Sequence, residues 1–277
     1  MKKIYKKLIL VISLLGLMVL AASCSSSKSA SKDNSVKKIQ DKGTLVVGTS
    51  ADFAPFEFPI VKDGQKQIVG YDMMIAKKIA QALHVKLKIQ NEEFSSLITD
   101  LRGNKIDLII AGLSVTKQRE KYISFSKPYY KATDVLLVRK GNAEKYDSVK
   151  SLVGKSIGVQ QSSTQETEAK KRFKKSNLIV ESAVTNMSTE LSQGKLDGIV
   201  VGQAIAAEYV AKFPDKYSIA KVKIPVKKDA QTNNIGIRKG DNELKKRVNK
   251  VITQLQKNGE DTKMFNEAKQ LQDKYGK

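Results

Sequence analysis

From Thr44 onward, short apolar runs alternate with segments whose apolar residues recur at helical spacing, and this alternation leaves few folds open. Thr44-Leu45-Val46-Val47-Gly48-Thr49 reads as a buried strand bounded by Gly43 and a polar turn. Tyr71, Met74, Ile75, Ile79, Ala82 and Leu83 form a helical stripe that opens at Gly70-Tyr71-Asp72 and ends at His84. Val85 to Ile89 alternates as a strand. Phe94, Leu97, Ile98 and Leu101 make the next stripe, stopped by Gly103-Asn104, and Leu108-Ile109-Ile110 is a third strand. The order βαβαβ predicts a mostly parallel, doubly wound sheet. Beyond it, Asp134 to Val138 is a strand, and a second α/β series begins near Leu152-Val153-Gly154. Its strands are Ile157 to Val159, Leu178 to Val180 and Gly198 to Val201. Helical segments lie around Thr164 to Phe173, Met187 to Leu191 and Ala204 to Val210, and Asn233 to Arg238 is a late strand. Two amphipathic stripes close the chain: Leu244, Val248, Val251, Ile252 and Leu255, then Met264, Phe265, Ala268 and Leu271. These are more strands than one sheet holds comfortably, so the body divides into two α/β lobes. Ligands in open α/β sheets bind at the carboxyl ends of the strands, which places a site in the cleft between the lobes.

Within the first lobe, Asp107 to Tyr130 holds the residues best suited to chemistry. The strand ending at Gly112 leads into the polar turn Ser114-Val115-Thr116 and then into a short helix carrying Arg119. A small-residue turn followed by a helix start aims backbone N–H groups at one spot, and a guanidinium fork within reach binds a carboxylate through two hydrogen bonds. Taken by itself, the same stretch also fits an ordinary βα unit with a surface arginine. Pro55 and Pro59 exclude helix from the loop after the first strand. Phe53, Phe56 and Phe58 in that loop line a core edge or a pocket.

Charge and residue inventory narrow the function. The net charge is +22, which suits an anionic neighbourhood such as nucleic acid, anionic lipid or an acidic polymer. The lysines are scattered, however, and the one dense cluster, Lys170 to Lys175, fits a solvated helix face. The only histidine, His84, sits at a helix end, and the only cysteine is Cys24. No nucleophilic triad, metal cluster or phosphate loop is present, so neither a metal nor a cofactor is expected, and the chain is not expected to be an enzyme.

The N-terminus reads as an address. Lys2 to Lys7 is a basic region, Leu8 to Ala22 an apolar run, and the small residues Ala21-Ala22-Ser23 precede Cys24. At about 15 residues the run is short for a membrane span, which needs roughly 20. The pattern resembles a bacterial lipoprotein signal, which implies cleavage before Cys24 and its lipidation. The Leu usual three positions before the cysteine is here Ala21, with Leu20 one step further out. Ser25 to Lys38 is a Ser/Lys stretch that reads as flexible. The expected organisation is a signal peptide at 1–23, a tether at 24–42, a first lobe at 43–131 continued by 235–277, and a second lobe at 132–234.

From about Gly43 to the C-terminus the chain resembles the polar amino-acid-binding proteins of ABC importers. The resemblance rests on Ala54-Pro55-Phe56-Glu57-Phe58, Gly70-Tyr71-Asp72, Leu101 to Asp107, the Arg119 stretch with its Phe125 to Tyr130 tail, Gly158 to Gln165, and Gly194 to Gly198. It implies a two-lobed type II periplasmic-binding-protein fold with a hinge, crossovers near Tyr130–Asp134 and Ala230–Asn234, and the final helices on the first lobe. It further implies that Arg119 binds the ligand's α-carboxylate with help from Ser114 and Thr164, and that Gly112 offers its carbonyl to the α-ammonium. Phe53 and Phe94 would sandwich the ligand side chain, with Ser50, Gln160, Ser163 and Gln165 bordering its pocket. The partners implied are a small amino-acid-like ligand, a permease with its ATPase, and the membrane through a lipid anchor on the extracytoplasmic face; no nucleic acid is expected. The family's ammonium-binding acid falls on Gly202, leaving Gln203 or Asp52 as substitutes. An exported dehydratase-like enzyme on the same scaffold and a polymer-binding adhesin are the alternative functions.

Overall fold

The computed structural model describes residues 33–225 and 230–275. The signal-like segment, Cys24 and the expected tether up to residue 32 lie outside these residues. The described part begins with α1 (Ser35–Lys42), followed by β1 (Thr44–Thr49), the hairpin strands β2 (Phe58–Lys62) and β3 (Gln65–Val69), and α2 (Tyr71–Leu83). Next come β4 (Lys86–Asn91), α3 (Leu97–Arg102), β5 (Leu108–Ile109), the one-turn helix α4 (Lys117–Glu120) and β6 (Ile123–Lys131). The chain then passes into a second lobe: β7 (Asp134–Arg139), β8 (Ser156–Gln160), α5 (Thr164–Arg172), β9 (Asn177–Glu181), α6 (Val184–Ser192), β10 (Gly198–Gly202), α7 (Gln203–Lys212) and β11 (Tyr217–Ile219). It returns through β12 (Thr232–Arg238) to the first lobe and ends in α8 (Asn242–Lys257) and α9 (Glu260–Tyr275).

Each lobe has its own five-stranded sheet, ordered β4-β1-β5-β12-β6 in the first and β11-β7-β10-β8-β9 in the second. β1 pairs in parallel with β4 and β5, and β8 pairs in parallel with β9 and β10. β12 and β7 are the antiparallel intruders. Central strands are buried on both faces: Leu45, Val47, Leu108 and Ile109 in one lobe, Ile157, Val159, Ile199 and Val201 in the other, all at or near zero exposure. Such strands read as unbroken apolar runs, which is why their sequence is conspicuous. The lobes are joined at Ala132-Thr133 and again before Thr232. The Ala132 N–H donates to the Gln231 carbonyl at 2.8 Å, tying the two crossovers together.

Three expectations need correction. First, Ser35–Lys42 is helix and not tether: Val36 and Ile39 are buried, and the Ser35 hydroxyl accepts the Leu244 N–H at 3.2 Å. A helix of two turns with one apolar pair in a Lys-rich stretch has little periodicity to see; its stability comes from packing on α8. Ile39→Ala should therefore lower the unfolding free energy by about 2–4 kcal/mol, read by urea titration. A tether residue would leave the midpoint unchanged. Second, the second crossover ends earlier than 234: Thr232 to Asn234 already pair with β6 and belong to the first lobe. Third, Ala82 is exposed, and the buried face of α2 runs instead through Asp72, Met73, Ala76 and Ala80.

Candidate ligand-binding cleft

A cavity of about 410 Å³ lies between the lobes. It is lined by Gly112, Ser114, Arg119, Phe53 and Phe94 from the first lobe, and by Gln160, Ser163, Thr164, Gln165, Gly202 and Gln203 from the second. Eleven of the twelve expected ligand residues thus come together there. The exception is Ser50, which stands one layer back with its hydroxyl donating to Asp52 Oδ1 at 2.9 Å.

Arg119 is buried, at 8 % exposure. It sits in α4, whose N-cap Thr116 accepts the Arg119 N–H through its hydroxyl. With four residues, α4 carries little dipole, so the arginine itself supplies the positive charge. Its Nη1 donates to the Ser114 carbonyl at 2.7 Å and its Nη2 crosses the cleft to the Ser162 carbonyl at 2.9 Å. The Phe94 ring lies 5.4 Å from the guanidinium carbon, holding its plane. Burial lowers the Arg119 pKa to about 10, so the group stays charged at neutral pH. Among the described residues no carboxylate lies within ion-pair distance of it. Facing it from the second lobe is the start of α5, where Ser163 caps the Glu166 N–H at 2.9 Å. The first-turn amides of that helix add to the positive potential where a carboxylate would lie.

The floor of the cleft is set by a buried acid pair. Asp72 Oδ2 accepts the Gly112 N–H at 3.0 Å and the Tyr129 hydroxyl at 2.7 Å. Burial pushes Asp72 up to about 6, and Glu57 beside it is raised well above the carboxylate range by burial and then by the charge of Asp72. Burial and the neighbouring carboxylate thus both disfavour charge on Glu57. The Asp72 carboxylate holds Gly112 in a left-handed conformation (φ 57°), and a Cβ there would meet the Phe53 ring at 2.8 Å. Only glycine fits both demands. Phe53 in turn packs on Phe56, with centroids 5.8 Å apart, and Phe56 packs on Tyr130 and Phe265.

Asp52 joins the lobes a second time. Its Oδ2 accepts the Val184 N–H at 2.6 Å, at the start of α6, and Gln160 Nε2 at 3.2 Å. Burial raises its pKa, and the hydrogen bonds from Val184 and Ser50 oppose that rise. A third link, from Lys269 of α9 to Glu208 of α7 at 3.3 Å, brings the C-terminal helix onto the second lobe as well. With Arg119 on Ser162 and Asp52 on Val184, the clamp is closed.

Sequence reasoning missed several lining residues: Asp134, Glu57, Asn233, Glu208 and Phe265. Asp134 opens β7 directly after the crossover and its register partner is Gly202. The acid was visible, but its neighbour across the ladder was not. Among the described residues no group of three or more His, Cys, Asp or Glu side chains is placed to hold a metal.

Two sheet lobes joined by two crossovers and closed over a buried arginine define a clamp-type solute-binding protein. The chain belongs to the bacterial extracellular solute-binding proteins, family 3, whose sequence pattern matches residues 45–270. The arginine-binding extracellular protein ArtP of Bacillus subtilis is 30% identical over 240 residues, covering 86% of this chain and 88% of that protein. The histidine-binding periplasmic protein of Escherichia coli K12 is 30% identical over 260 residues, covering 92% and 93%. The crystal structure of the amino acid ABC transporter substrate-binding protein AbpA from Streptococcus pneumoniae, bound to L-arginine, superposes with a TM-score of 0.81 at 36% identity, covering 84% of this chain and 98% of that one.

Proposed function

We propose that this protein captures a free L-amino acid outside the cytoplasm and delivers it, clamped, to the permease of an ABC importer. The observation that carries this reading is the buried, charged Arg119, which has no carboxylate partner among the described residues and faces the cavity. A buried cation is costly unless it is paired, and the ligand's α-carboxylate supplies the pair. Ser114, Thr164 and the first turn of α5 complete that end; Phe53 and Phe94 flank the side chain, with Gln160 and Ser163 at its border. Ligand contacts to both lobes favour the closed state over the open one, and the closed state is what the permease reads. On this reading the protein holds its ligand unchanged until it is handed on. Cys24, lipidated after export and cleavage at 1–23, would keep the body on the outer face of the membrane.

L-Arginine leads the candidates, because the B. subtilis relative is named for arginine and the pneumococcal structure holds it. Mass spectrometry of the protein denatured after native purification should release an unmodified amino acid. Release of no amino acid, together with no binding in a titration of the common L-amino acids, would refute the reading. For the anchor, Cys24→Ser should move the protein from the membrane fraction to the soluble extracytoplasmic fraction or the medium. Unchanged fractionation would exclude lipid anchoring.

A further inference from the structure

An amino acid brings a cation as well as an anion into the cleft, and at residue 202, where the family resemblance expects an acid for it, this chain has glycine. The substitutes suggested by sequence are both engaged elsewhere. Gln203 Oε1 accepts the Thr133 hydroxyl at 2.8 Å, and both oxygens of Asp52 are spent on Ser50, Gln160 and Val184. Glu57 is fully buried beside Asp72, and burial and that neighbouring charge both push its pKa up.

We infer that Asp134 is the counter-charge for the α-ammonium, displaced one strand across the sheet from residue 202. This rests on the amino-acid reading above. Asp134 and Gly202 are direct partners in the antiparallel β7–β10 ladder, and side chains at paired positions project from the same face within about 5 Å at Cβ. A carboxylate on 134 therefore reaches the space that one on 202 would serve. Gly202 keeps that space open: a Cβ there would stand 3.9 Å from the Phe53 ring and 3.0 Å from Ile205 Cδ1. Asp134 is buried at 8 % exposure, lines the cavity, and has no cation within ion-pair distance among the described residues.

Its position along the cleft also fits. Gln165 Nε2 donates to Asp134 Oδ1 at 2.8 Å, and Gln165 Oε1 accepts the hydroxyl of Thr164, the residue facing Arg119. The unpaired anion thus stands one side chain away from the carboxylate end, as the adjacent α-ammonium of an amino acid requires. Gln165 orients Asp134 and leaves Oδ2 for the ligand. Burial raises the Asp134 pKa to about 6, against the Gln165 hydrogen bond and with the charge of Glu168 adding to the rise. The acid is thus mostly ionised at neutral pH and gains most from an arriving cation. Glu168 itself is tied to Arg172 at 3.0 Å.

The test compares L-arginine with deamino-arginine, which keeps the carboxylate and the guanidinium but lacks the α-ammonium. If the amino-acid panel selects another residue, that amino acid and its deamino form replace them. The parent should prefer the amino acid by roughly 100-fold or more, the scale of a buried ion pair left half-made. Asp134→Asn keeps the Gln165 contact and should lose about 100-fold for the amino acid, while binding the deamino form within about threefold of the parent and so erasing the preference. Circular dichroism verifies the fold, and Asp134→Ser is read the same way if the Asn variant does not fold. Amino-acid affinity unchanged in the variant overturns the assignment and leaves the amino-acid reading intact. Equal losses for both compounds make Asp134 structural only, and also overturn it. A parent that binds no amino acid removes the reading on which the assignment rests.

Discussion

Arg119→Ala should abolish amino-acid binding at micromolar concentrations while leaving the protein folded. The guanidinium is a partner the ligand carboxylate cannot replace from the cavity wall: Lys131 and Lys269 also line the cavity, but Lys269 pairs with Glu208, and neither is buried. Removing one member of a buried ion pair costs about 3–5 kcal/mol, roughly 150-fold to several thousand-fold in affinity. The variant loses a closure contact in the same stroke, because Nη2 also holds the Ser162 carbonyl of the opposite lobe. Arg119→Lys should recover little. A lysine keeps the charge but not the planar fork that serves Ser114, Ser162 and a carboxylate together. Calorimetric titration of parent and both variants with L-arginine checks this. Parent-like affinity in the alanine variant would remove Arg119 from the site.

The second large effect is expected at Asp52, and it concerns closure more than contact. Asp52 links the loop after β1 to the start of α6 and to Gln160. Hydrogen bonds to a charged group are worth about 1.5–3 kcal/mol each, and the helix start adds to the attraction. Asp52→Asn removes the charge and sets one amide nitrogen against another at Val184 or Gln160. The closed population should fall, and with it the apparent affinity, by about 10- to 100-fold. Small-angle scattering of the ligand-free variant should show a wider separation of the lobes, and ligand dissociation should quicken. A variant that scatters and releases ligand as the parent does would mean that Asp52 is not a latch.

What could be read in the chain alone divides along physical lines. The central strands were legible because they are buried on both faces and so apolar throughout, as in Leu45 and Val47 or Ile199 and Val201. Strands held by distant partners were not. β6 carries Lys127 and Pro128 among its apolar residues, and its pairing with β12 comes from more than 100 residues away. The hairpin of β2 and β3 was seen only as its turn, Asp63-Gly64, because its outer residues are polar or exposed. The site divides in the same way. Arg119, Ser114 and Gly112 lie on one continuous stretch and could be grouped by spacing. Asp134 acquires its meaning only from Gly202, a partner 68 positions away across the ladder. Ser50 fell on the right loop, yet its hydroxyl turns to Asp52 and serves the latch.

The central claim is that the cleft takes an amino acid by its carboxylate. The most direct measurement is titration of protein unfolded, dialysed free of ligand and refolded, using L-arginine and its methyl ester side by side. In mildly acidic buffer, where its amine stays protonated, the ester keeps the ammonium and the side chain and replaces the carboxylate proposed to meet Arg119 with a neutral group. The expected result is tight binding of the free acid and a loss of about 100-fold or more for the ester. Equal binding of acid and ester would contradict the account.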